Sequence, residues 1–338
     1  MQREPLISCA NFMSKCTDNE PPRAPLGHRA VKTPTTNNID GPIVPVMPAF
    51  DAHEKLDLTS TCKWVDWQIA SGIKIFWTTY GTSHYMSLTD DEINALNQAV
   101  ANVTRGRAVL IASTNFGWSV GKCLEFIHEA REWGVDYVKV QVDWRWNPNP
   151  DAVFDYYRRI ARDTTLPLFA YTLAAPNVKG MNRGLLTRIM KLPRFVGLKN
   201  DSGDFYEQCD YLREVRRASR SFNVITGGSM ASFMHNHQFG ARAFATGVGI
   251  VFPQVALRFH AALLAGRQAE CVTIIQDCEE PFNDLYAQVS VSHWACFHTI
   301  LMELGLFHSD RLRFPLLTAK PAERKIIRKL MKLPALNA

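Results

Sequence analysis

Short β-branched and apolar runs recur along this chain at a nearly constant step. Candidate strands at residues 43–46, 73–77, 108–112, 137–142, 167–171, 196–199, 223–226 and 243–246 begin 30, 35, 29, 30, 29, 27 and 20 residues apart. A longer amphipathic stretch fills each interval, and several of these stretches open with helix-start signals. Thr89 with Glu92 three positions on makes a capping box ahead of Ile93, Leu96 and Val100, while Ser119, Asn149, Asn182 and Ser202 stand where later helices should begin. Eight such strand-then-helix units predict an α/β fold of the (β/α)8 TIM barrel type, because a doubly wound open sheet rarely takes eight equal steps.

The rest of the chain divides around that barrel. Residues 1–40 mix Pro, Asn, Thr and both charges without periodicity and read as a flexible N-terminal extension. Residues 41–265 hold the barrel. Helical patterns follow at 255–265, 269–288, 293–304 and 322–333; the last three exceed what a barrel needs, so 266–338 is expected to form a C-terminal helical subdomain joined to the barrel by the eighth helix. With 46% apolar residues there is material for a large core. The net charge of +6 is concentrated at 320–332 and reads as a solvated helix face, so no nucleic-acid partner is expected. Eight scattered cysteines without a Cys-x-x-Cys pair read as reduced thiols in a cytoplasmic protein. The apolar, uncharged run of 15 residues at 243–257 is interrupted by Pro253, so no membrane contact is expected either.

In a barrel of this kind the polar residues that matter lie at the C-terminal ends of the strands. Here they are Gly81, Thr82, Ser83 and His84 after the second strand, and Asp143, Trp144 and Arg145 after the fourth. Tyr171 ends the fifth strand and Lys199 the sixth, with Gly227, Gly228 and Ser229 after the seventh and Thr246 after the eighth. An amine at the end of a buried strand loses solvation, which leaves it neutral, nucleophilic and able to form a Schiff base with a ketone. Lys199 is such an amine, though its position also suits a lysine whose head is solvated or paired with Asp201 or Asp204. Tyr171 is placed to move protons at the same centre, or to be a core tyrosine with a wet tip. Lys139 and Gln141 alternate with Val138, Val140 and Val142, and either set can face the barrel interior. Lys139 is therefore a rival nucleophile, although its mid-strand depth favours a structural role. His235, His237, His293 and His298 lack metal-ligand spacing and accompanying acids, so no metal and no cofactor are expected.

The run Val-Gly-Leu-Lys-Asn-Asp-Ser-Gly-Asp at 196–204, preceded by Leu-Pro-Leu-Phe-Ala-Tyr ending at Tyr171, resembles the paired motifs of the dihydrodipicolinate synthase/N-acetylneuraminate lyase family. The resemblance extends over about 41–333 and includes Ser-Leu-Thr-Asp-Asp-Glu at 87–92 and the closing Arg-Phe-Pro-Leu at 313–316. It implies a Schiff-base lyase in which Lys199 forms an imine with pyruvate or another 2-keto acid and Tyr171 relays protons. Thr82, Ser83 and His84 would stand on the loop that holds the keto-acid carboxylate, and Thr246 on the substrate side of strand 8. Trp144 and Arg145, where the chain departs from the family at strand 4, read either as a different substrate wall or as a structural Asp143–Arg145 pair under an aromatic lid. It also implies a small-molecule partner and a homo-oligomer, dimer or tetramer.

The departures narrow this. Gly81 and His84 replace the family's first threonine and its glutamate, Arg145 occupies the place of the relay tyrosine, and the arginine that grips the second substrate is absent from 172–180. These changes argue against lysine-biosynthetic synthase activity and leave an aldolase or a dehydratase open. They also keep open a competing class, a non-catalytic ligand-binding barrel.

Overall fold

The computed structural model describes residues 39–337 apart from 80, 115–118, 175–176 and 219–220. Residues 1–38 of the expected extension, with Cys9 and Cys16, and Tyr80 in the loop motif lie outside the described residues.

Eight parallel strands close a (β/α)8 TIM barrel. They are β1 (Gly41–Pro45), β2 (Ile75–Trp77), β3 (Val109–Ser113), β4 (Tyr137–Lys139), β5 (Leu168–Ala174), β6 (Phe195–Ser202), β7 (Asn223–Thr226) and β8 (Ala243–Ala245). Each pairs with its neighbours in chain order, and β1 closes the ring against both β2 and β8. The strands are almost wholly buried, as a parallel sheet covered by helices requires. Alternate side chains separate into two cores. Ile43, Ile75, Trp77, Ile111, Tyr137, Phe169 and Ile225 fill the barrel interior, whereas Val44, Phe76, Leu110, Val138 and Leu198 pack against the surrounding helices. Gly197 leaves space in that interior, since a Cβ there would run into the Phe169 ring and the Asn223 carbonyl.

The helices outside the strands are α1 (Leu58–Ala70), α2 (Asp90–Thr104), α3 (Val120–Trp133), α4 (Pro150–Arg162), α5 (Arg183–Ile189), α6 (Phe205–Arg217), α7 (Met230–His237) and α8 (Pro253–Leu264). Thr89 and Glu92 form the capping box of α2, and Glu92 also holds Arg313 through two hydrogen bonds of 2.5 and 2.6 Å, which ties the C-terminal chain to the barrel. Ser119, Asn149 and Asn182 cap α3, α4 and α5. Ser202 does not cap the next helix. It is the last residue of β6, which runs three residues past the predicted end, and Asp204 takes the cap instead, accepting from the Glu207 amide at 2.8 Å.

The helix expected over 269–288 is interrupted. Gln268–Ile274 (α9) passes through a π turn at Ile275–Glu279 into Glu280–Gln288 (α10). Pro281 has no amide hydrogen to give and its ring needs room, so the turn before it widens. The chain ends in α11 (His293–Glu303), α12 (Pro321–Met331) and α13 (Pro334–Asn337). Among the described residues no helix is long and apolar enough to cross a membrane.

Candidate active site

The C-terminal ends of the strands open on a cavity of about 430 Å³. Gly81, Thr82, Lys139, Gln141, Arg145, Tyr171, Asp201 and Gly228 line it, and His293 and Trp294 of α11 reach over its rim. Lys199 lies beneath its wall. The residue stands directly beside Tyr171 in the β5–β6 register and is fully buried. Its amine donates to Asp201, two positions further along the strand and therefore on the same inward face. Burial pushes its pKa down, with the Asp201 charge opposing that shift. Gly227 makes the arrangement possible, because a Cβ there would overlap both the Lys199 amine and the Asp201 carboxylate.

Tyr171 is 7% exposed. Burial, and then the neighbouring Asp201 charge, push its hydroxyl well above the ordinary range, so it stays a proton donor. Lys139 and Gln141 face the barrel interior, and Val138 and Val140 face the helices. Lys139 is the last residue of β4, which ends three residues before the predicted 142, and its side chain lines the cavity with Nζ 4.6 Å from the centre of the Tyr171 ring and 5.1 Å from that of Trp77. Burial first, and then the charge of Lys199, lower its pKa to about 7. Gln141 is also buried.

The other residues singled out from sequence divide between the cavity and the layer behind it. Thr82 lines the cavity on a single 3-10 turn, Gly81–Ser83, and its carbonyl accepts from Trp294 Nε1 at 2.7 Å. Ser83 is buried with its hydroxyl unpartnered. His84 is not brought to the cavity. Its backbone is left-handed at φ 36°, which turns the ring inward against Phe50, where Nε2 meets Nε2 of His298 at 3.1 Å. Burial, followed by the His298 charge, drives its pKa down and keeps it neutral.

Trp144 is likewise behind the wall rather than in it, 2% exposed and donating from Nε1 to the Tyr171 carbonyl at 2.7 Å. Arg145 is at the rim, held by a two-pronged pair with Asp143 at 2.7 and 2.8 Å. Thr246 lines a smaller adjoining cavity of about 280 Å³, which shares Thr82, Gly228 and His293 with the first and includes Glu279. Among the described residues no group of three His, Cys, Asp or Glu side chains is arranged to hold a metal ion.

Three contributors were not singled out as site residues from the sequence. Asp201 carried a signal, the i+2 spacing from Lys199 on a strand. His293 and Trp294 carried none, because α11 reaches the site only through the packing of the C-terminal helices.

A larger groove of about 780 Å³ runs outside the barrel between the start of α5 and α6, where Arg183 pairs with Asp210 at 3.6 Å. It has neither of the buried amines.

Comparison with known proteins agrees with this architecture. The profile of the dihydrodipicolinate synthetase family matches residues 38–333. The "Probable 5-dehydro-4-deoxyglucarate dehydratase 2" of Streptomyces avermitilis is 26% identical over 246 residues, 72% of each chain. The 4-hydroxy-tetrahydrodipicolinate synthase of Herminiimonas arsenicoxydans is 24% identical over 87% of this chain and 98% of that one. The crystal structure of dihydrodipicolinate synthase from Thermotoga maritima superposes with a TM-score of 0.77 at 20% identity, over 88% of this chain and 99% of that chain. The length and order of this match show that the chain belongs to the dihydrodipicolinate synthetase family.

Proposed function

We propose that this protein is a Schiff-base-forming lyase acting on pyruvate or another 2-keto acid, as an aldolase or a dehydratase. The observation that carries the reading is the buried amine of Lys199 beside the Tyr171 hydroxyl, both served by Asp201 at the strand ends that form the mouth of the barrel. In such a site the Lys199 lone pair attacks the keto carbon, the carbinolamine loses water, and the resulting cationic imine draws electrons from the bond to be broken. Tyr171 supplies or removes the proton, and the turn at Thr82 and Ser83 is the place for the keto-acid carboxylate. Relatives named as a dehydratase and as a synthase support a lyase of this kind. Arg145 in place of the relay tyrosine supports a substrate other than the synthase's. The test is sodium borohydride reduction in the presence of a panel of 2-keto acids, read by intact mass. A stable adduct is expected, and no adduct with any keto acid would favour the non-catalytic, ligand-binding reading.

Arg145 is assigned to specificity. Its guanidinium is fixed by Asp143 at the rim and cannot relay protons near neutral pH. Arg145→Ala is expected to raise KM for the physiological substrate by about tenfold or more, equivalent to roughly 1.5–3 kcal/mol for a hydrogen bond to a charged group, while pyruvate trapping continues. Equal KM in both proteins would remove Arg145 from the substrate wall.

Self-association is part of the same reading. Trp146, Tyr206 and Phe314 are 84%, 80% and 80% exposed, more aromatic surface than a solitary barrel usually leaves in water. Light scattering at micromolar concentration is expected to give a multiple of the 38.2 kDa chain mass, and a monomer would contradict it.

A further inference from the structure

An ammonium ion and a ketone give a cationic imine and one water with no change of net charge, so every proton that leaves the nitrogen must end on the departing oxygen. The group that carries those protons has to touch the amine and also reach the cavity in which the ketone stands.

Asp201 does both. Its carboxylate accepts from the Lys199 amine. It stands two residues nearer the barrel mouth on β6, opposite Leu173 in the β5 register, and its side chain lines the cavity and is 24% exposed, against none for Lys199. The Tyr171 hydroxyl is a second hydrogen-bond partner of the same carboxylate. Gly227 is bare where a Cβ would overlap both Asp201 and the amine, so the contact is one for which the neighbouring strand makes room. Among the described residues that line the cavity, Asp201 is the one carboxylate. Asp143 is held on both oxygens by Arg145. Gly81 has no side chain with a proton to give, Gln141 does not titrate, and the Arg145 guanidinium keeps its protons near neutral pH.

We infer that Asp201 is a catalytic residue of imine formation, carrying protons between the Lys199 nitrogen and the oxygen of the keto group. The step starts from the Lys199 ammonium and the Asp201 carboxylate. An N–H bond breaks and an O–H bond forms on Asp201, which frees the Lys199 lone pair to attack the keto carbon. As the carbon–oxygen double bond opens, Asp201 gives the proton to that oxygen. It then takes a proton from the carbinolamine nitrogen, now cationic, and gives it to the hydroxyl. The carbon–oxygen bond breaks, its electron pair leaves with the oxygen as water, and the nitrogen lone pair closes the imine. The nitrogen keeps one hydrogen and the positive charge, Asp201 is a carboxylate again, and no other reagent is consumed. Tyr171 is thereby left for the proton at the substrate bond that the imine weakens.

This inference rests on the Schiff-base reading of Lys199, and its test separates a proton carrier from a plain counter-ion. Adduct formation with pyruvate, 2-oxobutanoate and 2-oxoglutarate is followed by intact mass under excess sodium cyanoborohydride at constant pH. Wild type, Asp201→Asn and Asp201→Ala are compared, with thermal unfolding as the fold control. A counter-ion only holds the amine protonated, so its loss would leave trapping as fast as in wild type or faster. A carrier is needed in every event, so Asp201→Asn should slow trapping by about 10²–10⁴. Sodium formate, entering the space the side chain leaves, should speed Asp201→Ala by about tenfold or more, whereas sodium chloride at equal ionic strength should not. Trapping in Asp201→Asn at or above the wild-type rate overturns the inference. So does a slowed Asp201→Ala that formate does not restore, and the asparagine rate alone decides if the alanine chain does not fold. Should wild type form no adduct with any of the three acids, the Schiff-base reading falls and this inference falls with it.

Discussion

Lys199→Ala is expected to abolish the borohydride-stable adduct with every 2-keto acid while the protein melts at or above the wild-type temperature. Both halves follow from burial. The amine is fully buried and Asp201 offsets part of the loss of its solvation, which is an arrangement useful for nucleophilic attack and poor for stability. Removing the side chain deletes the nucleophile and also a buried charge. The Asp201 carboxylate that remains is 24% exposed and lines the water-accessible cavity, so it does not become a fully buried unpaired ion. The gain from relieving the site is the familiar exchange of stability for function. Intact mass after reduction reads the first half, and calorimetry reads the second. Trapping that persists in Lys199→Ala and disappears in Lys139→Ala would move the nucleophile to β4. That outcome is a real alternative, because Lys139 is also a buried amine and lines the cavity itself.

The barrel was legible in the sequence because its signal is repeated eight times. One ambiguous run, such as Ala-Phe-Ala at 243–245, says little alone but much as the last of eight strand-then-helix units. The adjacency of Tyr171 and Lys199 was legible for the same reason: consecutive barrel strands pair in register, so two motifs one unit apart must meet.

What the pattern could not show is the direction of side chains that leave a strand or turn. Alternation permits either Lys139 or its valine neighbours to face inward, and only closure of the barrel decides it. Nor does the mid-strand depth expected from the sequence hold, since β4 ends at Lys139 and four methylenes carry Nζ over the Tyr171 ring. His84 stands at the motif position of a glutamate. Its left-handed backbone and the partner His298 from α11, more than two hundred residues away, turn it out of the cavity. A local motif carries no information about such a partner.

Tyr171→Phe is expected to lower turnover by about 10²–10⁴, the usual contribution of a positioned acid or base, with KM and pyruvate trapping changed far less. The substitution is conservative in every contact except one. The phenyl ring can still lie under the Lys139 amine, and the backbone carbonyl still accepts from Trp144 Nε1, so the wall of the cavity is kept. Only the hydroxyl is lost, and that hydroxyl is protonated throughout the working range because burial and the Asp201 charge both oppose its ionisation. It follows that Tyr171 gives wild type no basic limb below pH 10. The acidic limb belongs to Lys199, whose amine must be neutral before it attacks. The ratio of wild-type to Tyr171→Phe turnover should therefore be nearly flat between pH 6 and pH 9. A ratio near one at all pH values would show that another group moves the proton. Gln141 cannot titrate and His84 faces away from the cavity, so the groups left to do it would be the Lys139 amine, already over the ring, and His293 at the rim.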